Sequence, residues 1–317
     1  MLLLVSAINA GLIFALLALG VYISFRVFNF PDITADGSFA FGGAATTALL
    51  IRGVDPVTAT AAGFLAGMLA GALTGTLHTR FGIHGLLSGI LVMTALYSVN
   101  LRVLGRSNVP LNDSSTLLKM WATQAERFFG NAERRNILGW EVGTQELATL
   151  AFLLILTAAA VIALLCFLET KIGAAMRGCG DNPQMIRAMG VSDKALLTAG
   201  VALANGFAGL SGSLLAQYQE FADIQMGIGM VIWGLASVII GESLVGPCRF
   251  GPLIVGAVMG SLLFRILIAI ALRCGLDPND LKLITAFFVF IALVMPQWTR
   301  KRRPRSPGSA PEVADHA

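Results

Sequence analysis

Five windows of this chain run for 21 to 25 residues without one Asp, Glu, Lys or Arg: Met1–Phe25, Val57–Leu77, Phe81–Leu101, Leu147–Leu168 and Ala195–Gln219. A helix needs about 20 such residues to cross the hydrocarbon core. In lipid the backbone must satisfy its own polar groups, which leaves helices and closed barrels. Runs of this length fit helices. Shorter or interrupted candidates are Ser38–Ile51, Ile224–Gly241, Gly251–Leu272 (which contains Arg265) and Leu283–Gln297. The expected fold is an all-α polytopic membrane protein with about 8–10 transmembrane segments in one bundle. Its membrane domain covers residues 1–299. Hydrophobic residues at 56% and charged residues at 13% agree with that class. Met1–Phe25 lacks the basic start of a signal peptide, is long for its apolar core and precedes further spans, so it reads as a membrane helix.

Charge sets the orientation. The tail 300–317 opens with Arg300-Lys-Arg-Arg-Pro-Arg305, directly after the last apolar run. Basic residues next to a span mark the cytoplasmic side, so the tail reads as a topology signal at the lipid surface and not as a nucleic-acid contact. Counting back, Asp277–Asp280 falls outside, Arg249 inside, Gln217–Asp223 outside, Arg177–Lys194 inside, 104–146 outside and His78–His84 inside. With nine spans the N-terminus lies outside. Cys166, Cys179, Cys248 and Cys274 share no CxxC spacing, and His78, His84 and His316 are scattered. No disulfide, metal site or cofactor is expected.

Two features depart from plain spans. Phe28-Asn-Phe30-Pro31-Asp32-Ile33-Thr34-Ala-Asp36-Gly37-Ser38 separates a long apolar run from a short one. Pro31 and Gly37 with two carboxylates disfavour a continuous helix, and irregular backbone at membrane depth survives only against protein or a wet cavity. The segment reads as a broken helix, with Asp32 and Asp36 either touching a ligand or capping a half-helix. Phe221-Ala-Asp223-Ile224 echoes Phe30–Ile33, and at the same offset Leu19, Gly43 and Ala45 match Leu210, Gly234 and Ala236. The topology puts the two copies on opposite sides, as an inverted repeat would.

The second feature is the polar segment within 170–194. Asp181 or Asn182 can cap a helix start, Pro183 suits the first helical position and Gly190 a left-handed stop. Pro183–Met189 is expected to form about two helical turns, and Ser192 can cap the apolar helix that follows. In the loop 104–146, Leu117, Leu118, Met120, Trp121, Phe128 and Phe129 describe an amphipathic helix at the interface, either a docking element or a lid. Gly63, Gly67, Gly71 and Gly75 recur every four residues, and Gly206, Gly209 and Gly212 every three, spacings that let helices approach closely.

There is no Gly-Lys dipeptide, hence no Walker A loop, and no HExxH or Gly-x-Ser-x-Gly. ATP hydrolysis by that mechanism, an intramembrane protease and a metalloenzyme are therefore not expected, and the chain is not expected to be an enzyme. Glu242 and Arg249 flank a loop and are explained by solvation. Arg265 lies about two turns from the outer end of its helix, close enough to snorkel. No long span carries a carboxylate in its middle, where an ion-coupled secondary transporter with inverted repeats, the alternative reading, would want one.

Over about Ala7 to Gln297 the chain resembles the membrane permease subunits of bacterial ABC importers, in the branched-chain amino acid and ribose permease superfamily. The resemblance is carried by Gly173–Gly190 with Ala204-Asn-Gly206-Phe-Ala-Gly209-Leu-Ser-Gly212, and by Leu235-Ala-Ser-Val-Ile-Ile-Gly241-Glu-Ser-Leu-Val-Gly246. Phe30–Ser38 departs from the branched-chain branch, which carries Asn-Phe-Ala-x-Gly there, and is more similar to a branch associated with tryptophan or tyrosine uptake. The resemblance implies a bacterial inner-membrane permease that moves a small solute, such as an amino acid. It also implies a second permease copy as a homodimer, a separate ABC ATPase subunit and an extracytoplasmic substrate-binding protein. Arg177, Asp181, Asn182, Pro183, Arg187, Met189 and Gly190 would couple to the ATPase. Asp32, Thr34, Asp36, Ser38, Asp223 and Gln225 would line or gate the translocation path.

Overall fold

The protein is described from a computed structural model covering residues 2–112, 114–129, 134–137, 140–246, 250–273, 283, 285–291 and 294. The basic tail, the Asp277–Asp280 turn, Arg249, Cys248, Cys274 and most of the span expected over Leu283–Gln297 lie outside these residues.

The chain begins with α1 (Leu2–Val21), which widens into a π-helix over Tyr22–Val27. An irregular stretch, Phe28–Ile33, leads to α2 (Thr34–Ile51), then α3 (Pro56–Phe81) and α4 (Gly85–Leu104). The connection between α4 and the next long helix holds β1 (Asn108–Pro110), α5 (Leu117–Phe129), β2 (Arg134–Ile137) and β3 (Trp140–Gly143). α6 (Thr144–Glu169), α7 (Lys171–Asp181), α8 (Pro183–Ala188) and α9 (Asp193–Gln219) follow. After β4 (Phe221–Asp223) and a 3-10 turn (Ile224–Gly227) come α10 (Met230–Val245) and α11 (Phe250–Arg273). Among the described residues seven helices are long and apolar enough to cross a membrane. They are α1 with its π-turn, α3, α4, α6, α9, α10 with its 3-10 turn, and α11. α2 is embedded beside them. The protein is a multi-pass helical membrane protein.

Local chemistry sets many of the helix ends. Asp55 Oδ2 accepts from the N–H groups of Val57 and Thr58, with Pro56 at the first helical position. α3 stops at Gly82 and α4 at Gly105, with φ of +68° and +75°.

α1 is the axis of the bundle: Ile13, Leu16, Leu17, Leu19 and Tyr22 are fully buried. It runs antiparallel to α9, since Gly20 abuts Ala204, Ser211 Oγ donates to the Ile13 carbonyl at 2.7 Å, and Tyr218 meets Ser6 at 3.1 Å. α3 packs on α9, and α11 in turn packs on α1. The helix order α1, α2, α3 is thus repeated as α9, α10, α11 with the leading helix reversed. The two breaks share a local bond as well: Asp32 Oδ1 accepts from Thr34 N at 2.9 Å, and Asp223 Oδ1 from Gln225 N at 2.6 Å. This is the inverted-repeat geometry that the Phe-x-Asp-Ile echo anticipates.

α2, α3 and α9 touch through their backbones. A Cβ on Gly42 would collide with Gly209, one on Gly209 with Gly63 and Gly67, and one on Gly67 with the Asn205 carbonyl. Dispersion and packing, not water exclusion, hold helices together in lipid, and small residues maximise both. Two short antiparallel sheets interrupt the helical design: β2 pairs with β3, and β1 pairs with β4 through Val109 opposite Ala222.

Candidate functional site: two half-helix starts and an exposed helical turn

The first break is built around a side chain that sequence reasoning did not single out. Asn205, in the middle of α9, donates through Nδ2 to Asp32 Oδ2 and to the Val201 carbonyl, and accepts at Oδ1 from Ser38 Oγ at 2.7 Å. Thr34 Oγ1 lies 2.7 Å from Thr74 Oγ1 of α3. Asp32 (1% exposed) and Asn205 (0%) are sealed from solvent, as are Thr34, Ser38 and Thr74. The carboxylate thus closes the start of α2 and is held by a neighbouring helix. Above this knot the seam continues, with Thr46 bonded to Ser213 at 2.9 Å and Gln217 to Thr60 at 2.9 Å. Nothing in a lone Asn inside a Gly-rich run marks it as this partner. Its role follows from which helix faces it.

The second break meets the first through Asp36. Its Oδ1 accepts from Val231 N at 2.7 Å and its Oδ2 from Gly229 N at 2.9 Å. Those are the opening N–H groups of α10, which have no partner within their own helix. Gly229 turns with φ of +87°, open to glycine at no steric cost, and Gly227 abuts the Asp36 carbonyl. The carboxylate of one repeat therefore caps the half-helix of the other. Of the two roles open to Asp32 and Asp36, this geometry realises capping. Asp223 caps its own 3-10 turn, and Gln225 is exposed beside it.

The α4–α6 connection clamps this second break. Besides the β1–β4 ladder, Ile224 N donates to the Ser107 carbonyl at 3.1 Å and Leu111 N to the Glu220 carbonyl at 2.7 Å. Leu117 N donates to Gln217 Oε1 at 2.8 Å, and Lys119 pairs with Glu220 at 3.0 Å. α5 buries Leu118 and Ala122 and leaves Met120 and Trp121 exposed. The side chains of Phe128 and Phe129 lie outside the described residues.

In the segment between α6 and α9, Asn182, not Asp181, caps α8: its Oδ1 accepts from Met185 N at 3.1 Å, with Pro183 at the first helical position. Gly190 closes the turn with φ of +80°, and Ser192 caps α9 through Ala195 N. Ile186 is the one side chain of residues 181–190 that turns inward. Met185 (59% exposed) and Met189 (66%) stand on the open side, one turn apart. Arg187 is tied to Asp193 at 3.0 Å. Arg177 faces the bundle, 4.6 Å from the Phe250 ring centre. The seven residues expected to couple thus divide: Asn182, Pro183 and Gly190 shape the turn, Met189 and Asp181 are exposed, and the two arginines engage their own chain. Cys179 lies beneath, and burial pushes its thiol above the ordinary range, aided by the Asp193 carboxylate.

Two other charges resolve. Glu242 pairs with Arg26 at 2.8 Å, and does not rely on solvation alone. Arg265 does not snorkel outward; its guanidinium lies 5.6 Å from the Phe14 ring centre and 5.7 Å from that of Trp233. Among the described residues no group of three His, Cys, Asp or Glu could hold a metal.

The described residues offer two buried helix starts, each with a carboxylate, and an exposed helical turn. The chain is 38% identical over 289 residues to the "Tyrosine transport system permease protein" of Clostridioides difficile, covering 91% of this chain and 90% of that one. It is 30% identical over 294 residues to an uncharacterized protein of Rickettsia prowazekii, covering 92% and 96%. No solved structure matches. The profile of the family described as branched-chain amino acid transport system, permease component, matches residues 3–294, and the chain belongs to that family.

Proposed function

We propose that this chain is the membrane subunit of an ATP-driven importer in a bacterial inner membrane, and that its solute is an aromatic amino acid or a close analogue. The observation that carries the proposal is the α7–α8 turn. It is a short, well-capped helix on the side assigned to the cytoplasm, presenting Met185 and Met189 to solvent. Exposed methionines fit an apolar socket on a partner, and the chain has no phosphate-binding loop of its own. A separate ATPase would grip this turn, and a second copy of the permease would complete the pore. A binding protein would deliver solute to the outer loop. The relative's tyrosine in its printed name supports the solute class.

The proposed cycle uses the two breaks. ATP binding would draw the α7–α8 turns of two copies together. The pull would reach α9 through the Arg187–Asp193 pair and the Ser192 cap, and α1 through Gly180, which abuts the Val27 carbonyl. α2 and α10 would then shift about the Asp32 and Asp36 caps.

The test is affinity purification of the tagged chain from its native membrane, followed by reconstitution in proteoliposomes. Co-purification of a Walker-type ATPase and a binding protein, with uptake of tyrosine that requires ATP, is the expected result. Uptake by the chain alone, driven by a sodium or proton gradient, would overturn it in favour of a secondary transporter.

A further inference from the structure

Among the described residues Arg265 has no partner of opposite charge. It lies on α11 about two turns from the helix end, and among those residues it makes no ion pair and no hydrogen bond. Other arginines of the bundle differ. Arg26 pairs with Glu242, Arg177 rests on Phe250, and Arg273 sits at a helix end. An ionisable residue inside a span is costly and marks function by default.

Its surroundings define what it can bind. The arginine side chain leaves α11 beside Gly11 of α1, where an added Cβ would stand 3.3 Å from Leu262 Cα and 3.5 Å from Arg265 Cβ. The guanidinium then meets Phe14 and Trp233, whose rings are 5.1 Å apart; Phe39 stacks on Phe14 and Phe264 meets Trp233 edge-on. Trp233 belongs to the first turn of α10, and helical side chains lean toward the helix N-terminus. Arg265 is therefore beside the half-helix start that Asp36 caps. In membrane transporters such starts face anionic solute groups. Here the start is already occupied by a protein carboxylate, so the available positive charge is the guanidinium. Both rings stand on one side of the guanidinium, and its N–H groups meet no acceptor among the described residues; a guanidinium offers such donors to a carboxylate in bidentate fashion.

We propose that Arg265 is a transient receptor for the carboxylate of the transported solute, with Phe14 and Trp233 holding the fork in place. The proposal deepens the importer reading and rests on it. The solute class is a monocarboxylate with an apolar or aromatic body, which the surrounding rings accommodate.

The experiment is saturation binding of radiolabelled tyrosine to the purified permease–ATPase complex in nanodiscs, without the binding protein. Competitors are tyramine, which lacks the carboxylate, and 3-(4-hydroxyphenyl)propionate, which lacks the amine. The propionate is expected to compete and tyramine to fail. R265Q, in complexes that still contain the ATPase, is expected to weaken binding at least tenfold; R265K, which keeps charge without the fork, should fall between. Equal competition by tyramine, wild-type affinity in assembled R265Q, or no saturable binding by wild type would each overturn the proposal. The wild-type competition decides the question even if no variant assembles. The importer reading is judged separately by ATP-dependent uptake with the binding protein present.

Discussion

The carboxylate of Asp36, on the first turn of α2, accepts from the backbone N–H of Val231, on the first turn of α10, at 2.7 Å. With Gly229 on the second oxygen, one side chain joins the broken elements of both repeats. Any motion that separates α2 from α10 must break these bonds, and any motion that keeps them must carry the two half-helices together.

Asp36→Ala removes both acceptors. Loss of a helix cap costs about 0.5–2 kcal/mol, and two N–H groups stranded away from water add to that. A lower unfolding temperature and loss of uptake are expected together, whereas Asp36→Asn, which keeps one acceptor, retains part of both. Thermal unfolding and uptake on the same preparations check this. Unchanged stability in Asp36→Ala would show that the cap is dispensable.

Asn205→Leu strips Asp32 of the neighbour that holds its second oxygen. Hydrogen bonds to a charged group contribute about 1.5–3 kcal/mol, so destabilisation of that order is expected. Asp32→Asn in the same chain should recover part of the loss, because no charge is then left in the dry interior. The coupling appears in a double-mutant cycle of unfolding free energies; simple additivity would contradict the direct bond.

Met185→Glu with Met189→Glu changes a mostly exposed surface. The fold should be unaffected and solute-stimulated ATP hydrolysis lost. Arg187→Ala, which opens an exposed ion pair with Asp193, should cost no more than about 1 kcal/mol in stability. ATPase rates measured alongside co-purification of the ATPase separate docking from coupling; full stimulation in the double variant would remove these methionines from the contact.

Gly42→Val drives a side chain into the Gly209 backbone. Overpacking costs about 1–3 kcal/mol or more, and here backbone stands on both sides. Gly251→Ala, whose nearest neighbour would be 3.7 Å away, is the matched control and should be neutral. Yield of folded protein and unfolding temperature compare the two.

Cys179 is buried under the α7–α8 turn, and its thiol is pushed upward by desolvation and by Asp193. A raised value means less thiolate at any given pH, and the thiolate is the reactive form. Maleimide labelling of Cys179 in intact membranes should therefore be slower than for a free cysteine at pH 8 and rise on denaturation. Rapid labelling of folded protein, read by peptide mass spectrometry, would contradict its burial.

Much of the helical plan was legible in the sequence. Charge-free windows of 21 residues or more have one physical outcome in lipid, so α1, α3, α4, α6 and α9 follow from composition alone. The α7–α8 turn was legible too, because Asn182, Pro183, Gly190 and Ser192 act on backbone groups within three residues. Even the two breaks were visible, since Asp32 and Asp223 each bond an N–H two residues ahead.

What the sequence could not state is which residue faces which across the bundle. Asn205 is one amide among small residues until α9 lies beside Asp32. Asp36 is a charge of unknown purpose until α10 begins next to it. Arg265 could equally have reached outward until Gly11 and Leu262 fixed where its helix passes α1. The strands β1 and β4, three residues each, exist only because the chain after α4 folds back over the α9–α10 turn. Local bonds are encoded in neighbouring residues. Contacts between residues 32 and 205, or 36 and 231, depend on the packing of backbones through Gly42, Gly67 and Gly209, and that geometry is decided by the tertiary structure.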